Sequence, residues 1–448
     1  MFEPLLRVNN VYWSDDAFRP RLAACETPGA EPGAVAPEQV HGRFACASAS
    51  PDGSVSLARD RFGLNKLFVA VHESGTLIAA NYLTDLVARG VPLECIYSVP
   101  AGHAVHLDPR GDFVSLRAYA KDAHASDAPG AVEEIAVQIR RRLERWFARF
   151  AAEFAGSRIA ICLSGGIDSS IIAALATRYF AEVTAYTFAF TEPGRPPTDD
   201  AVAAERLAHA LRIPLRTVAV SAEQVMASVD DAICYGQDWR DFNVHCAIVN
   251  EILARAIAQD AAAGGACASW TVLTGDLANE LLADYTPVVY AGRTFYALPD
   301  VGPDQLRSAL VRGLDAGDRE VGIFSRYGID VIQPYAFAAD LYLRLPGSMI
   351  ARDGFKQALA WMMAGDLLPA FVLDRRKVRA QIGSASPVGI LPVLLEHGCD
   401  QPALRRIFCR IFGVHDEGFL DRFIRAGRYR VVTRLTGSRS IVNGHTAA

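Results

Sequence analysis

The stretch LSGGIDSS, Leu163 to Ser170, constrains the fold more than any other part of the chain. It follows the apolar, β-branched run RIAICL and leads straight into DSSIIAALATRYF, a helix-forming sequence. Adjacent glycines between a strand and a helix permit a tight turn and let a ligand approach the backbone. The cycle then repeats: strand-like VTAYTFAF, helical DDAVAAERLAHAL, strand-like LRTVAV, helices through Ala261, strand-like TVLTGD. Strands alternating with helices imply a parallel sheet with helices on both faces. Ligands of such sheets bind beyond the carboxyl ends of the strands, which is where this turn falls.

The turn suits phosphate. A helix N-terminus offers unpaired N–H groups and the positive end of its dipole. Ser164, Ser169 and Ser170 add hydroxyls. Asp168 among these donors makes little sense against bare phosphate and good sense if it holds a Mg²⁺ that bridges phosphates. The lysine of a Walker loop is absent, so the pattern is not G-x-x-x-x-G-K-[ST].

The chain ahead of Val132 has another character. GRFACASAS, SVSLARD, KLFVAVHES and TLIAANY are short runs separated by PDG, ESG and similar turn formers, which predicts a β-rich first domain. The polar, breaker-rich KDAHASDAPGA, Lys121 to Ala131, predicts the boundary. The expected division is a first domain over 1–122, a second over 130–435, mostly helical beyond about Asn279, and a loose tail over 436–448. At 448 residues, 51% hydrophobic and 21% charged, the chain has ample material for a large core. A net charge of −5 argues against a nucleic-acid partner. The basic cluster IRRRLERW, Ile139 to Trp146, carries apolar residues at helical spacing and reads as a solvated helix face. His103 and His106, the closest histidine pair, fall on opposite faces of a strand, which argues against a metal there. Nine scattered cysteines with no C-x-x-C pair suit reduced thiols in a cytoplasmic protein. MFEPLLRVNN lacks the features of a signal peptide, and no apolar stretch is long enough to span a bilayer.

LSGGIDSS resembles the pyrophosphate loop of the N-type ATP pyrophosphatases, which transfer AMP to a substrate oxygen and let a nucleophile displace it. Other segments extend the resemblance from about Val40 to about Ile411, toward the asparagine-synthetase-like branch. HGRFACASASPDGSVSLARDRFGLNKLFVA is similar to that branch's glutaminase domain, whose usual form ends in RD-x-x-G-x-x-P-L-Y. VLTGDLANELLADY stands where the family has S-G-E-G-S-D-E, and YGIDVIQPYAFAADLYLRLP resembles G-V-E-x-R-x-P-F-L-D. LLPAFVLDRRKVRAQIGSA resembles the lysine-bearing loop, and the C-terminal pattern is most similar to β-lactam and carbapenam synthetases. The resemblance implies a degenerate αββα domain of the Ntn-hydrolase type, followed by an adenine-nucleotide α-hydrolase-like synthetase domain with a helical end. It implies ATP and Mg²⁺ as cofactors. ATP would lie along Leu163, Ser164, Gly165, Gly166, Asp168 and Ser169, near Thr274 and Gly275, with adenine against Thr187 and Phe188. Lys356 would contact the nucleotide phosphates, and Lys377 would stabilise charge on pyrophosphate and the tetrahedral intermediate. Arg375 and Arg376 flank Lys377, and either could clamp phosphate.

Three departures shape the expected function. Glutamine-using members place a cysteine after Met1, whereas residue 2 here is Phe2, so no glutaminase activity is expected. The family's magnesium-binding aspartate falls at Asn279, where Asp276 or Glu280 would compensate, alongside Asp168. β-Lactam synthetases have a catalytic tyrosine where this chain has Asp276, so the general base stays open among Asp276, Glu280 and Glu320. The expectation is a cytoplasmic, ATP-dependent, AMP-forming C–N ligase that joins a small-molecule or peptide carboxylate to an amine, in antibiotic or other specialised-metabolite biosynthesis. Neither nucleic acid nor membrane is an expected partner, and a homodimer is admitted. A lasso-peptide-type macrolactam cyclase and a non-catalytic scaffold relative are the alternatives.

Overall fold

The computed structural model describes residues 1–14, 18–22, 40–119, 132–154, 156–191, 198–263, 270–315, 317–375, 389–416, 418, 420, 431–432 and 441–442. The segment read as the domain boundary, along with Arg376 and Lys377, lies outside these residues.

The first domain is built on two four-stranded sheets. One runs Phe2–Leu5, Leu77–Ala80, Phe68–Val71, Tyr97–Ser98, and the other Phe113–Ala118, His103–Leu107, Val55–Arg59, Ala45–Ala49. Strand alternation sends Val69, Leu77 and Ala79 of one sheet toward Ala47, Val55, Leu57 and Val105 of the other, in a shared apolar layer. Phe2 packs against that layer. A further three-stranded sheet joins Phe18–Leu22, Asn10–Ser14 and Val40–Arg43. The stacked sheets are the inner layers of the expected αββα arrangement. Among the described residues up to 119, its helical layers are represented by Leu83–Val87 and a single turn at Leu93–Cys95.

The second domain opens with α1, Val132–Glu153. Ile135, Ile139, Leu143, Trp146 and Phe150 recur at three- and four-residue steps, so one face of the helix is buried. Then follow β1 (Arg158–Cys162), α2 (Ile167–Tyr179), β2 (Val183–Phe190), α3 (Asp199–Leu211), β3 (Leu215–Val220), α4 (Asp241–Ala263) and β4 (Trp270–Leu273). The sheet order is β3-β2-β1-β4, closed at its far edge by β5 (Asp330–Ile332), and every pairing is parallel. The order reverses at β1, so the turn after β1 opens at the switch point where the strand ends diverge. The region after Asn279, read as mostly helical, also contains β5 and a short hairpin, Val288–Tyr290 with Arg293–Phe295. Three-residue strands are too short to show a period, which is why they escape pattern reading. In the stretch read as a loose tail, Ile441–Val442 pairs with Val431–Val432.

The basic cluster of α1 is not simply a solvated face. Arg142, Arg145 and Arg149 gather over the ring of the fully buried Trp13, with guanidinium carbons 5.7, 4.8 and 5.4 Å from its centroid. Their stems and charges seal one domain against the other. No helix among the described residues is long and apolar enough to cross a membrane.

Candidate active site

The strand ends β1, β2 and β4 open into a cavity of about 240 Å³. Gly165 adopts φ +68°, and a Cβ there would stand 2.6 Å from that of Ala203 on α3, so only glycine turns the chain this way. The turn is braced by its own hydroxyls. Gly166 N–H donates to Ser164 Oγ at 3.3 Å, Ser164 N–H donates to Ser169 Oγ at 3.3 Å, and Ser170 Oγ donates to Gly166 O at 2.7 Å. Tyr335, buried beneath, donates its hydroxyl to Asp168 O at 3.0 Å. Leu163, Ser164, Gly166, Asp168 and Ser169 line the cavity, as do Thr187 and Phe188 at the end of β2.

Lys356 enters from the first turn of α5, Phe355–Ala364. Its ammonium donates to Asp168 Oδ2 at 2.5 Å and Asn279 Oδ1 at 2.7 Å, and Asp284 Oδ2 lies 3.0 Å away. Burial alone would push Lys356 down, but Asp168 and Asp284 outweigh it and hold the ammonium above its ordinary value. Three oxygens converging on one cation suit a hard divalent ion as well as an ammonium. Among the described residues no cluster of three or more His, Cys, Asp or Glu could hold a metal, so such a site would depend on the Asn279 amide.

Gly275 follows β4 and meets α2 without a side chain between them. A Cβ there would lie 2.5 Å from Ser169 N and 2.8 Å from the Asp168 carbonyl carbon. The contact brings Thr274, Asp276 and Asn279 alongside the turn. Asp276 does not point to Lys356. Its carboxyl meets that of Glu320, which also accepts from Gln333 Nε2 at 2.5 Å. Burial pushes both carboxyls up, and the repulsion of Asp276 helps to hold Glu320 well above the ordinary range. Glu280 is placed differently. Burial pushes it up, but the Arg319 guanidinium and the Tyr285 hydroxyl, 2.5 Å from Oε1, outweigh that and hold it ionised.

Pattern reading missed Arg319, Asp284, Tyr285 and Phe242, all of which line the cavity or reach its edge. Arg375 also lines it. It donates to Ser164 O at 3.3 Å and pairs with Asp200 at 2.6 Å.

Residues 139–316 match the family model for asparagine synthase. The matched segment spans β1 to β4 with the turn after β1. A curated relative, Amidase chry2 of Gibberella zeae, is 24% identical over 223 residues, which cover 40% of this chain and 31% of that protein. The chain thus spans about a third of the length of that relative. Among solved structures, the NMN synthetase from Francisella tularensis is 16% identical, with a TM-score of 0.31 over 66% of this chain and 98% of that one. The NH3-dependent NAD synthetase from Campylobacter jejuni is 16% identical, with a TM-score of 0.25 over 40% of this chain and 71% of that one. At these scores neither superposition bears on the chemistry.

Proposed function

We propose that the chain is an ATP-dependent, AMP-forming amide synthetase that draws its nitrogen from an amine rather than from glutamine. The observation that carries this is the Lys356 ammonium, which ties Asp168 of the serine–glycine turn to Asn279 and Asp284 beyond β4, inside one cavity. A cation buried beside a phosphate-binding turn serves a leaving group that carries several negative charges. The match to the asparagine synthase model supports the same reading.

The turn and Lys356 would hold the β and γ phosphates while Thr187 and Phe188 flank the base. A substrate carboxylate oxygen attacks the α-phosphorus, the P–O bond to pyrophosphate breaks, and an acyl-adenylate forms. Magnesium, when bound, would neutralise the departing pyrophosphate, and Asp168, Asn279 and Asp284 are the oxygens that would hold it. The amine then attacks the acyl carbon, and AMP leaves. In this reading the Asp276–Glu320 pair takes the amine's proton, while Glu280 is the counter-ion of Arg319. A buried carboxyl pair with raised affinity for protons is suited to accepting one.

Exchange of labelled pyrophosphate into ATP, run across a panel of carboxylic acids, tests this directly. The expected result is exchange that depends on one class of acid. Exchange with no acid, together with no ATP binding by calorimetry, would overturn the proposal.

A further inference from the structure

The face that α4 turns to the cavity is apolar. Phe242, Cys246, Val249, Asn250 and Leu253 line it, and at this spacing they form one stripe of the helix. Phe242 and Cys246, nearest the helix start, are half-buried. Asn250, the polar member, is committed: its Nδ2 donates to Arg319 O at 2.7 Å. The charged residues of α4 are Asp241, Glu251, Arg255 and Asp260, and none of them lines the cavity. Glu251 accepts from Tyr327 Oη at 2.6 Å, Arg255 donates to Ser228 Oγ at 3.3 Å, and Asp260 accepts from Tyr186 Oη at 2.8 Å. Phe242 is a fixed wall. Its ring meets those of Tyr285 and Tyr296 edge to face, with centroids 5.3 and 5.8 Å away, and the Arg319 guanidinium carbon lies 5.5 Å from its centroid.

The cations that line the cavity are each answered by a carboxylate already. Lys356 faces Asp168 and Asp284, Arg375 faces Asp200, and Arg319 faces Glu280. In the amide-synthetase reading the serine–glycine turn takes phosphate, the end of β2 takes the base, and the exit of β4 takes the amine. The wall left for the body of the acid is the α4 stripe. A charge on that body would lose its water against a surface that offers no counter-ion.

We propose that the acid substrate is an apolar monocarboxylate, aliphatic or aryl-bearing, whose uncharged body lies along Phe242 and Cys246 while its carboxylate faces the α-phosphorus. This rests on the amide-synthetase reading of the cavity. A carboxylate oxygen bonds to the α-phosphorus, and the bond from that phosphorus to pyrophosphate breaks, with the electron pair leaving on pyrophosphate. Phe242 and Cys246 touch the part of the acid that does not react, so they set which acid is chosen.

Pyrophosphate exchange by the full chain tests the proposal, with straight-chain and phenyl-substituted alkanoates of increasing length as probes. Each is paired with a counterpart that carries an ammonium or a second carboxylate at its far end. The expected result is exchange with at least one apolar acid, and kcat/KM at least about 100-fold lower for its charged counterparts. Phe242→Ala should raise KM for the best acid at least about tenfold and leave the affinity for α,β-methylene-ATP, measured by calorimetry, in place. Cys246→Leu thickens the wall and should move the preferred acid to a chain about one or two methylenes shorter, a change that mere loss of stability does not produce. Charged acids as effective as their apolar counterparts, or an unmoved length preference in C246L together with an unmoved KM in F242A, would overturn the proposal and leave the synthetase reading standing. Exchange with no acid overturns the proposal, and if ATP also fails to bind it overturns the synthetase reading with it.

Discussion

The two ends of the cavity are built in opposite ways. The end proposed for phosphate is one contiguous turn whose serines brace its own backbone. The carboxyl end depends on Arg319 and Glu320, and the residues near them, Leu314, Asp315 and Gly322, are held from the first domain. Lys66 Nζ donates to Gly63 O and Leu314 O, each at 2.7 Å. Arg59, fully buried, pairs with Asp315 at 2.6 Å. Tyr82 donates its hydroxyl to Gly322 O at 2.8 Å, and Arg43 Nε donates to Val331 O at 2.9 Å. Lys66 stands at the proline of the RD-x-x-G-x-x-P-L-Y pattern that this segment resembles. A domain with no expected chemistry of its own thus fixes half of the proposed reaction centre in the other.

Substitutions that separate the two ends put this contrast at risk. The largest effect is expected from Lys356→Met, which removes the ammonium from the proposed phosphate end and leaves Asp168 and Asp284 without that shared partner. Acid-dependent pyrophosphate exchange should fall about 10³-fold. Retention within tenfold would place the charge neutralisation elsewhere. Gly275→Ala strikes the seam between the ends, since its Cβ would stand 2.5 Å from Ser169 N. It should cost about 1–3 kcal/mol in denaturant unfolding and weaken nucleotide-analogue binding along with activity. Lys66→Met should touch the carboxyl end alone. Amide formation should fall about tenfold and stability by about 1–2 kcal/mol, with nucleotide-analogue affinity unchanged by calorimetry. An equal loss of nucleotide affinity would show that the ends are not independent.

The smallest effect concerns pH. His245 on α4 is buried, bonds Tyr296 Oη through Nδ1 at 2.6 Å, and is pushed by burial down to about 3. The unfolded chain binds a proton there below the ordinary histidine value near 6.5, and the folded protein does not until about pH 3. This contribution to stability is therefore complete above about 6.5 and is lost as the pH falls toward 3. Between pH 6.5 and 5 the loss should be about 1–2 kcal/mol in urea unfolding, and His245→Gln should remove it. The same slope in the variant would assign the acid sensitivity to other groups.

The same contrast explains what was legible in the chain. VTAYTFAF and LRTVAV coincide with β2 and β3, and the serine–glycine turn lies where the strand–helix order places it, because those signals are local. Lys356 and Asp168 were both candidates, and the fold brings them together across 188 positions. Arg319 gave no such signal. Of its flanking acids Glu320 was a candidate base, but nothing local showed that Asp318, which accepts from the N–H groups of Glu320 and Gly322, is buried and pins the backbone there. The arginines of α1 looked solvated because the ring they cover, Trp13, comes from a distant strand. Motifs within a few residues can be read directly, but partners drawn from separate domains are joined only by packing.

Gly275 carries one more consequence. Backbone touches backbone where β4 leaves the sheet beside the first turn of α2, so no rotamer can lengthen or shorten that gap. The stretch from the phosphate turn to Asp276 is therefore a fixed gauge. A homologous series of acids, lengthened one methylene at a time, should be used best at a single chain length and fall away on both sides of it.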